Sequence, residues 1–271
     1  MAEPATITVS LGQIAKLIDH SLLHPAMTDT EIEAGLEIAK KYNVAAACIK
    51  PYSIPAARKV LAGTDVAICA VIGFPHGSST TSIKVTEARE AMLTGAHEID
   101  MVVNVGKVLS GDWDYVRDEI RAINNTVTSI RLGGAADGQT GILKVIFEND
   151  YLREEYIARL CRICTELRVA FVKTSTGYGF VKQDHGTYSY KGATVPHLRL
   201  MKESCGPDVK IKAAGGVRTL DEFLYVMALG VSRVGASATV AIMEEAQRRG
   251  VKNTPAEFPL RPVADTQGGA Y

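Results

Sequence analysis

The 271-residue chain has no surplus of either charge: thirty Lys and Arg stand against thirty Asp and Glu. That balance leaves no global field to draw it to nucleic acid or an anionic membrane. No disulfide framework is visible either. The five cysteines, an odd number, are scattered as Cys48, Cys69, Cys161, Cys164 and Cys205, a pattern that suits reduced thiols in the cytoplasm. Cys161 and Cys164 form a CxxC, but the stretch around them reads as helix and no second pair stands at zinc spacing, so both are expected as buried structural thiols. The six histidines show no ligand spacing. No apolar run approaches the roughly 18 residues that would span a bilayer, and the first residues lack the basic and apolar regions of a secretory leader. These absences lead to the expectation of a cytoplasmic protein without a metal, a membrane or a nucleic-acid partner.

What is present is rhythm. Short apolar runs at 16–22, 45–50, 66–73, 98–103, 142–148, 170–175, 209–214 and 233–236 alternate with amphipathic helix patterns. The runs are mostly continuous in hydrophobicity, as in parallel strands buried on both faces. Thr28 with Glu31, and Thr219 with Glu222, fit the capping box that satisfies orphan amides at a helix start. Gly95 and Gly230 stand where helices must end in a left-handed residue. Eight strand–helix units predict a closed (β/α)8 TIM barrel, an α/β fold, as a single domain over residues 1–249. An open doubly wound sheet would place a glycine-rich phosphate loop after its first strand, and residues 19–25, DHSLLHP, hold no glycine. Residues 250–271, rich in proline, glycine and polar residues, read as a flexible C-terminal tail, and 131–141 as a flexible connector. Residues 177–193 follow the sixth strand and are expected to overhang the catalytic face as a lid carrying Tyr178, Tyr188 and Tyr190.

Two lysines break the apolar strands. Lys173 lies in AFVKTSTG at 170–177, and Lys212 in VKIKAAGG at 209–216. An ammonium in such a run must find a partner, reach water, or lose its proton, and the neutral amine is a nucleophile. Two such strands pointing into one cavity suggest Schiff-base chemistry, because each charge disfavours the other. In a barrel, polar residues near the C-terminal ends of strands are the candidates for catalysis: Asp19, Cys48, Asp100, Glu148, Lys173, Thr176 and Lys212. Asp100 can also be read as an ion-pair partner of a lysine and nothing more. Gly215, Gly216 and Val217 follow the seventh strand, and Gly235, Ala236 and Ser237 the eighth. These are the loops of the recurrent barrel phosphate site, although either glycine loop alone could merely turn the chain.

The sequence resembles the DeoC family of class I aldolases over nearly its whole length. The pieces that carry this are IDHSLL (18–23), GFPHG (73–77), EIDMVVN (98–104), FVKTSTG (171–177) and KAAGGVR (212–218). The KTSTG and KAAGGVR pieces are the specific ones. The resemblance implies reversible cleavage of 2-deoxy-D-ribose 5-phosphate to D-glyceraldehyde 3-phosphate and acetaldehyde, in deoxyribonucleotide catabolism, through a covalent imine and without a cofactor. It makes Lys173 the Schiff-base lysine, Lys212 the second lysine and Asp100 the proton relay. It puts Asp19, Ser21, Cys48, Thr176 and Gly177 beside the substrate, and Gly215, Gly216, Val217, Gly235 and Ser237 around the phosphate. Some members end in a tyrosine that helps protonate the enamine, which implies that role for Tyr271. Tyr178 stands where some members carry a lysine, and Ala238 where some carry a serine. The partners implied are a phosphorylated sugar and acetaldehyde, and a homo-oligomer is compatible with the sequence. Two other readings are open at this stage: a lysine-dependent barrel lyase with a different donor, and a non-catalytic sugar-phosphate-binding barrel.

Overall fold

A computed structural model describes residues 5–133, 139–182 and 186–261. Eight parallel strands close into a barrel in the order β7-β8-β1-β2-β3-β4-β5-β6. They are β1 (Ile18–Leu22), β2 (Ala46–Ile49), β3 (Ala67–Ile72), β4 (Glu98–Val102), β5 (Ile142–Ile146), β6 (Phe171–Lys173), β7 (Lys210–Ala214) and β8 (Arg233–Ala236). Each is followed by a helix: α1 (Asp29–Lys41), α2 (Ile54–Val60), α3 (Thr81–Thr94), α4 (Trp113–Ser129), α5 (Glu154–Glu166), α6 (Val195–Ser204), α7 (Leu220–Ala228) and α8 (Thr239–Arg248). The predicted barrel is the observed one.

Local chemistry accounts for these elements. Thr28 and Thr219 each accept from the amide three residues on, and Glu31 and Glu222 reach back to the cap amides, so both predicted capping boxes form. Gly95 ends α3 at φ +119°, a conformation that costs a residue with a Cβ. α4 buries Val116, Ile120, Ile123 and Val127, a stripe at three- and four-residue spacing. Each such aliphatic side chain contributes about 1.5–3 kcal/mol when removed from water. Cys161 and Cys164 are free, buried thiols on α5 that pack in this outer core.

One expectation needs correction. Residues 250–271 are not a structureless tail throughout: Ala256–Pro259 forms an antiparallel ribbon with Thr6–Val9, pairing Ile7 with Phe258. Phe258 is buried and Arg249 stacks on its ring. Proline and polar residues hid this strand because its partner lies at the opposite end of the chain, and only Phe258 marks the buried face. Tyr271 lies outside the described residues.

The 177–193 segment contributes a two-stranded hairpin, Val181–Lys182 against Tyr188–Ser189. Its far end is stitched down. The Asp150 carboxylate accepts from the amides of Lys191 (2.6 Å) and Gly192 (3.0 Å), and the Ala193 amide donates to Gly215 O at 2.9 Å. Gly192 touches Gly215 so closely that a Cβ on it would sit 2.5 Å from that carbonyl.

Candidate active site

Strand register brings the two lysines together. Lys212 on β7 pairs in register with Lys173 on β6, and Asp100 on β4 with Lys144 on β5. Because side chains alternate along a strand, these four residues converge inside the barrel. Asp100, fully buried, is the hub. Its Oδ2 accepts from Lys173 Nζ at 2.9 Å and from Lys212 Nζ at 2.7 Å, and its Oδ1 from Lys144 Nζ at 3.0 Å. Beneath it, Asp19 pairs with Lys212 and Arg233, and Glu98 with Lys144 and Arg233.

The cluster is not charge-balanced. It holds four cations (Lys144, Lys173, Lys212 and Arg233) and three carboxylates (Asp19, Glu98 and Asp100). Burial works against every charge here, yet the mutual attractions outweigh it. Asp100 is held well below the usual carboxylate range by Lys144, Lys173 and Lys212, and Asp19 is lowered by Lys212, Lys144 and Arg233. Lys144 and Lys212 are held above the ordinary lysine value, Lys144 chiefly by Asp100 and Lys212 by Asp100 and Asp19. The three amines differ in how many carboxylates surround them. Lys173 contacts one, Lys212 two and Lys144 three.

Lys173 is also the amine that ends its strand. It is 2% exposed, and it lines a cavity of about 570 Å³ together with Lys212, Cys48, Ser21, Thr176 and Gly177. The phosphate-loop candidates Gly215, Gly216, Val217, Gly235 and Ser237 line the same cavity. Gly215 and Gly216 both have φ near +87°, which lets the backbone approach a ligand without a Cβ in the way. Asp19 and Asp100 are not on the cavity wall but behind it, under the lysines. Asp19 sits second in β1 rather than at its end, so its carboxylate lies deeper than a strand-end position would place it.

Thr176 is fixed from below. Its amide donates to Glu148 Oε1 at 3.1 Å and its hydroxyl to Glu148 Oε2. Glu148 itself lies two residues past β5, at φ +58°, with its side chain buried. Burial raises its carboxyl to about 7 against the Thr176 hydrogen bonds that lower it. Of the expected lid aromatics, Tyr178 packs edge-on against Phe74 at 5.6 Å and Tyr190 is buried, and both line the cavity. Tyr188 is 54% exposed, so it does not shield the site as its sequence position suggested.

Sequence reasoning overlooked Lys144, Glu98 and Arg233. Lys144 had the same signal as Lys173, an ammonium in the apolar run ILKVI at 142–146. Arg233 and Glu98 stand at strand beginnings, where attention to C-terminal ends does not look. Cys69 was missed as well. Its thiol lies 3.1 Å from Asp100 Oδ1, and its hydrogen bond pulls the Cys48 thiol below its ordinary value. Cys48, Cys69 and Asp100 hold their ligand atoms within 4.8 Å of one another, as do Asp19, Cys69 and Glu98. In both groups the carboxylates already pair with ammonium or guanidinium groups.

Comparison with known proteins identifies the family. Residues 13–247 match the model of the DeoC/LacD family of aldolases. The chain belongs to this family. A deoxyribose-phosphate aldolase of Rhodopirellula baltica is 47% identical over 87% of this chain and 90% of its own length. One from Treponema denticola is 42% identical over 85% of this chain and 98% of its own. Among solved structures, the tetrameric deoxyribose phosphate aldolase of Aeropyrum pernix matches with a TM-score of 0.73 and 25% identity, covering 88% of this chain and 92% of its own. The DeoC/LacD assignment places the chain among the aldehyde-lyases.

Proposed function

We propose that the chain cleaves 2-deoxy-D-ribose 5-phosphate reversibly to D-glyceraldehyde 3-phosphate and acetaldehyde, with Lys173 as the imine-forming amine. The observation that carries this reading is the shared Asp100 Oδ2, which holds the Lys173 and Lys212 amines at 2.9 and 2.7 Å at the floor of the cavity.

The neutral Lys173 amine attacks C1 of the open-chain sugar, and loss of water from the carbinolamine leaves a protonated imine. That imine is an electron sink for C2. Removal of the C3 hydroxyl proton breaks C2–C3, the electron pair passes to the nitrogen as an enamine, and glyceraldehyde 3-phosphate leaves. Protonation at C2 and hydrolysis of the second imine release acetaldehyde and restore the amine. Asp100 bridges two nitrogens and is positioned to pass a proton directly between them. Lys212, held charged by Asp19 and Asp100, is the stored proton. The imine performs the polarisation that a Lewis acid supplies in other aldolases. The phosphate rests on the backbone amides after β7 and β8, where Arg218 adds a cation to the cavity wall.

Coupled assay of acetaldehyde release from 2-deoxy-D-ribose 5-phosphate tests the reaction. A donor panel in the synthetic direction separates this reading from a lyase with another donor: acetaldehyde is expected to react, and dihydroxyacetone and pyruvate are not. Turnover with pyruvate alone would transfer the same cluster to a different donor.

A further inference from the structure

α8 begins without a side-chain cap, because Ala238 stands at its N-cap. Its first-turn amides therefore depend on something else to hold their direction. That something is on the neighbouring strand. The Thr239 hydroxyl, fully buried at the first helical position, lies 2.7 Å from His20 Nδ1. His20 sits between Asp19 and Ser21 on β1, in register with Ala236 of β8. Asp19 joins the ionic cluster inside the barrel, and strand alternation turns His20 the other way, toward the helices. The residue is 4% exposed, yet it lines the cavity together with Ser237. Burial pushes its pKa down to about 4, so at neutral pH the ring is uncharged and acts through its hydrogen bond to Thr239.

We infer that His20 is a positioning residue for phosphate recognition: through Thr239 it fixes the amino end of α8 and the Ser237 turn against the cavity, and so sets the preference for a phosphorylated over an unphosphorylated sugar. The inference rests on the aldolase reading above and deepens it. Backbone amides recognise an anion only if they are aimed at it, and a site whose N-cap is alanine has no side chain of its own to aim them. His20 supplies that constraint from outside the loop. It lies on the opposite face of β1 from the lysine cluster, so it acts on binding of the phosphate and not on the imine.

The test compares kcat/KM for 2-deoxyribose 5-phosphate and for 2-deoxyribose in His20→Leu, His20→Asn and Thr239→Val, alongside inhibition by inorganic phosphate. Loss of one neutral hydrogen bond predicts a roughly tenfold fall in the ratio of the two kcat/KM values for His20→Leu and for Thr239→Val. The fall is carried by KM of the phosphorylated sugar, with phosphate inhibition weakened to match. The double variant is expected to be no worse than either single one. His20→Asn, which keeps a polar group near the Nδ1 position, recovers most of the preference. An unchanged ratio in either folded variant, or equal losses on both sugars, overturns the assignment. If the wild type cleaves neither sugar, the aldolase reading fails on its own account. Calorimetry with inorganic phosphate then still reads the anchor, and undiminished affinity in folded His20→Leu overturns it.

Discussion

Two buried ionic groups meet β4, one at Asp100 and the other at the Val102 carbonyl, and they behave in opposite ways. Lys84 on α3 pairs with Glu119 on α4 at 2.9 Å, both completely buried, and its ammonium also donates to Val102 O at 2.8 Å. Gly73 makes room for this lysine, since a Cβ there would meet its stem at 2.8 Å. The pair is one cation to one carboxylate. Burial dominates it, lowering Lys84 and raising Glu119. In the central cluster the attractions overcome burial, and Asp100 is lowered while Lys144 and Lys212 are raised. The difference lies in number and in access. The Lys84 pair is balanced and sealed, whereas the cluster has one cation more than it has carboxylates and opens to the cavity through Lys173 and Lys212. A balanced buried pair holds α3 to α4, and the unbalanced cluster leaves one amine, Lys173, with a single carboxylate partner.

The comparison can be broken most severely at Lys173. Lys173→Leu is expected to lower kcat/KM by about a thousandfold or more, because covalent catalysis is lost with the amine, while circular dichroism still reports a folded barrel. A few-fold loss would leave Lys173 a packing residue. Lys144→Met and Lys84→Met sharpen the contrast. Each strands buried carboxylates, and removal of one partner from a buried pair costs about 3–5 kcal/mol. Both should lower the denaturant midpoint, but only Lys144→Met removes a cation from the cluster and moves the pH–rate profile upward. A profile shift in Lys84→Met of the same size would remove the distinction between the two regions. Lys212→Leu is expected to act in the same direction as Lys144→Met, moving the profile to higher pH as the cluster becomes balanced. Weaker substrate binding with an unmoved profile would make Lys212 a binding residue.

The smallest effect expected is at Glu148. Its folded value of about 7 lies above that of an exposed carboxyl, so the contribution of its neutral form is complete below the unfolded value and is lost as pH rises through about 7. Glu148→Gln keeps an acceptor for Thr176 and removes the titration. The wild type is expected to lose a few degrees of Tm relative to the variant between pH 5 and pH 8. Parallel Tm curves would show that the carboxyl is ionised across that range.

Much of this architecture is legible in the amino-acid sequence. The barrel can be read because parallel strands buried on both faces leave continuous apolar runs, and a lysine inside such a run, like Lys173 or Lys212, stands out. Lys144 carries the same mark, but its run, 142–148, ends in Glu148, which draws attention to the strand end instead. Arg233 and Glu98 cannot be placed from sequence, since their partners come from strands far apart along the chain and meet only through the register of a closed sheet. The same holds for Thr6–Val9 and Ala256–Pro259, whose pairing joins the two ends of the described chain. The glycine loops are visible as phosphate candidates, but the His20–Thr239 contact is not: a histidine and a threonine 219 positions apart give no local pattern.

The central claim is that Lys173, the cluster amine with a single carboxylate partner, is the nucleophile. Reduction with borohydride in the presence of acetaldehyde, followed by peptide mass mapping, tests it most directly. A single ethyl adduct on Lys173, absent when acetaldehyde is omitted, is the result the account predicts. An adduct on Lys212 or Lys144 would contradict it.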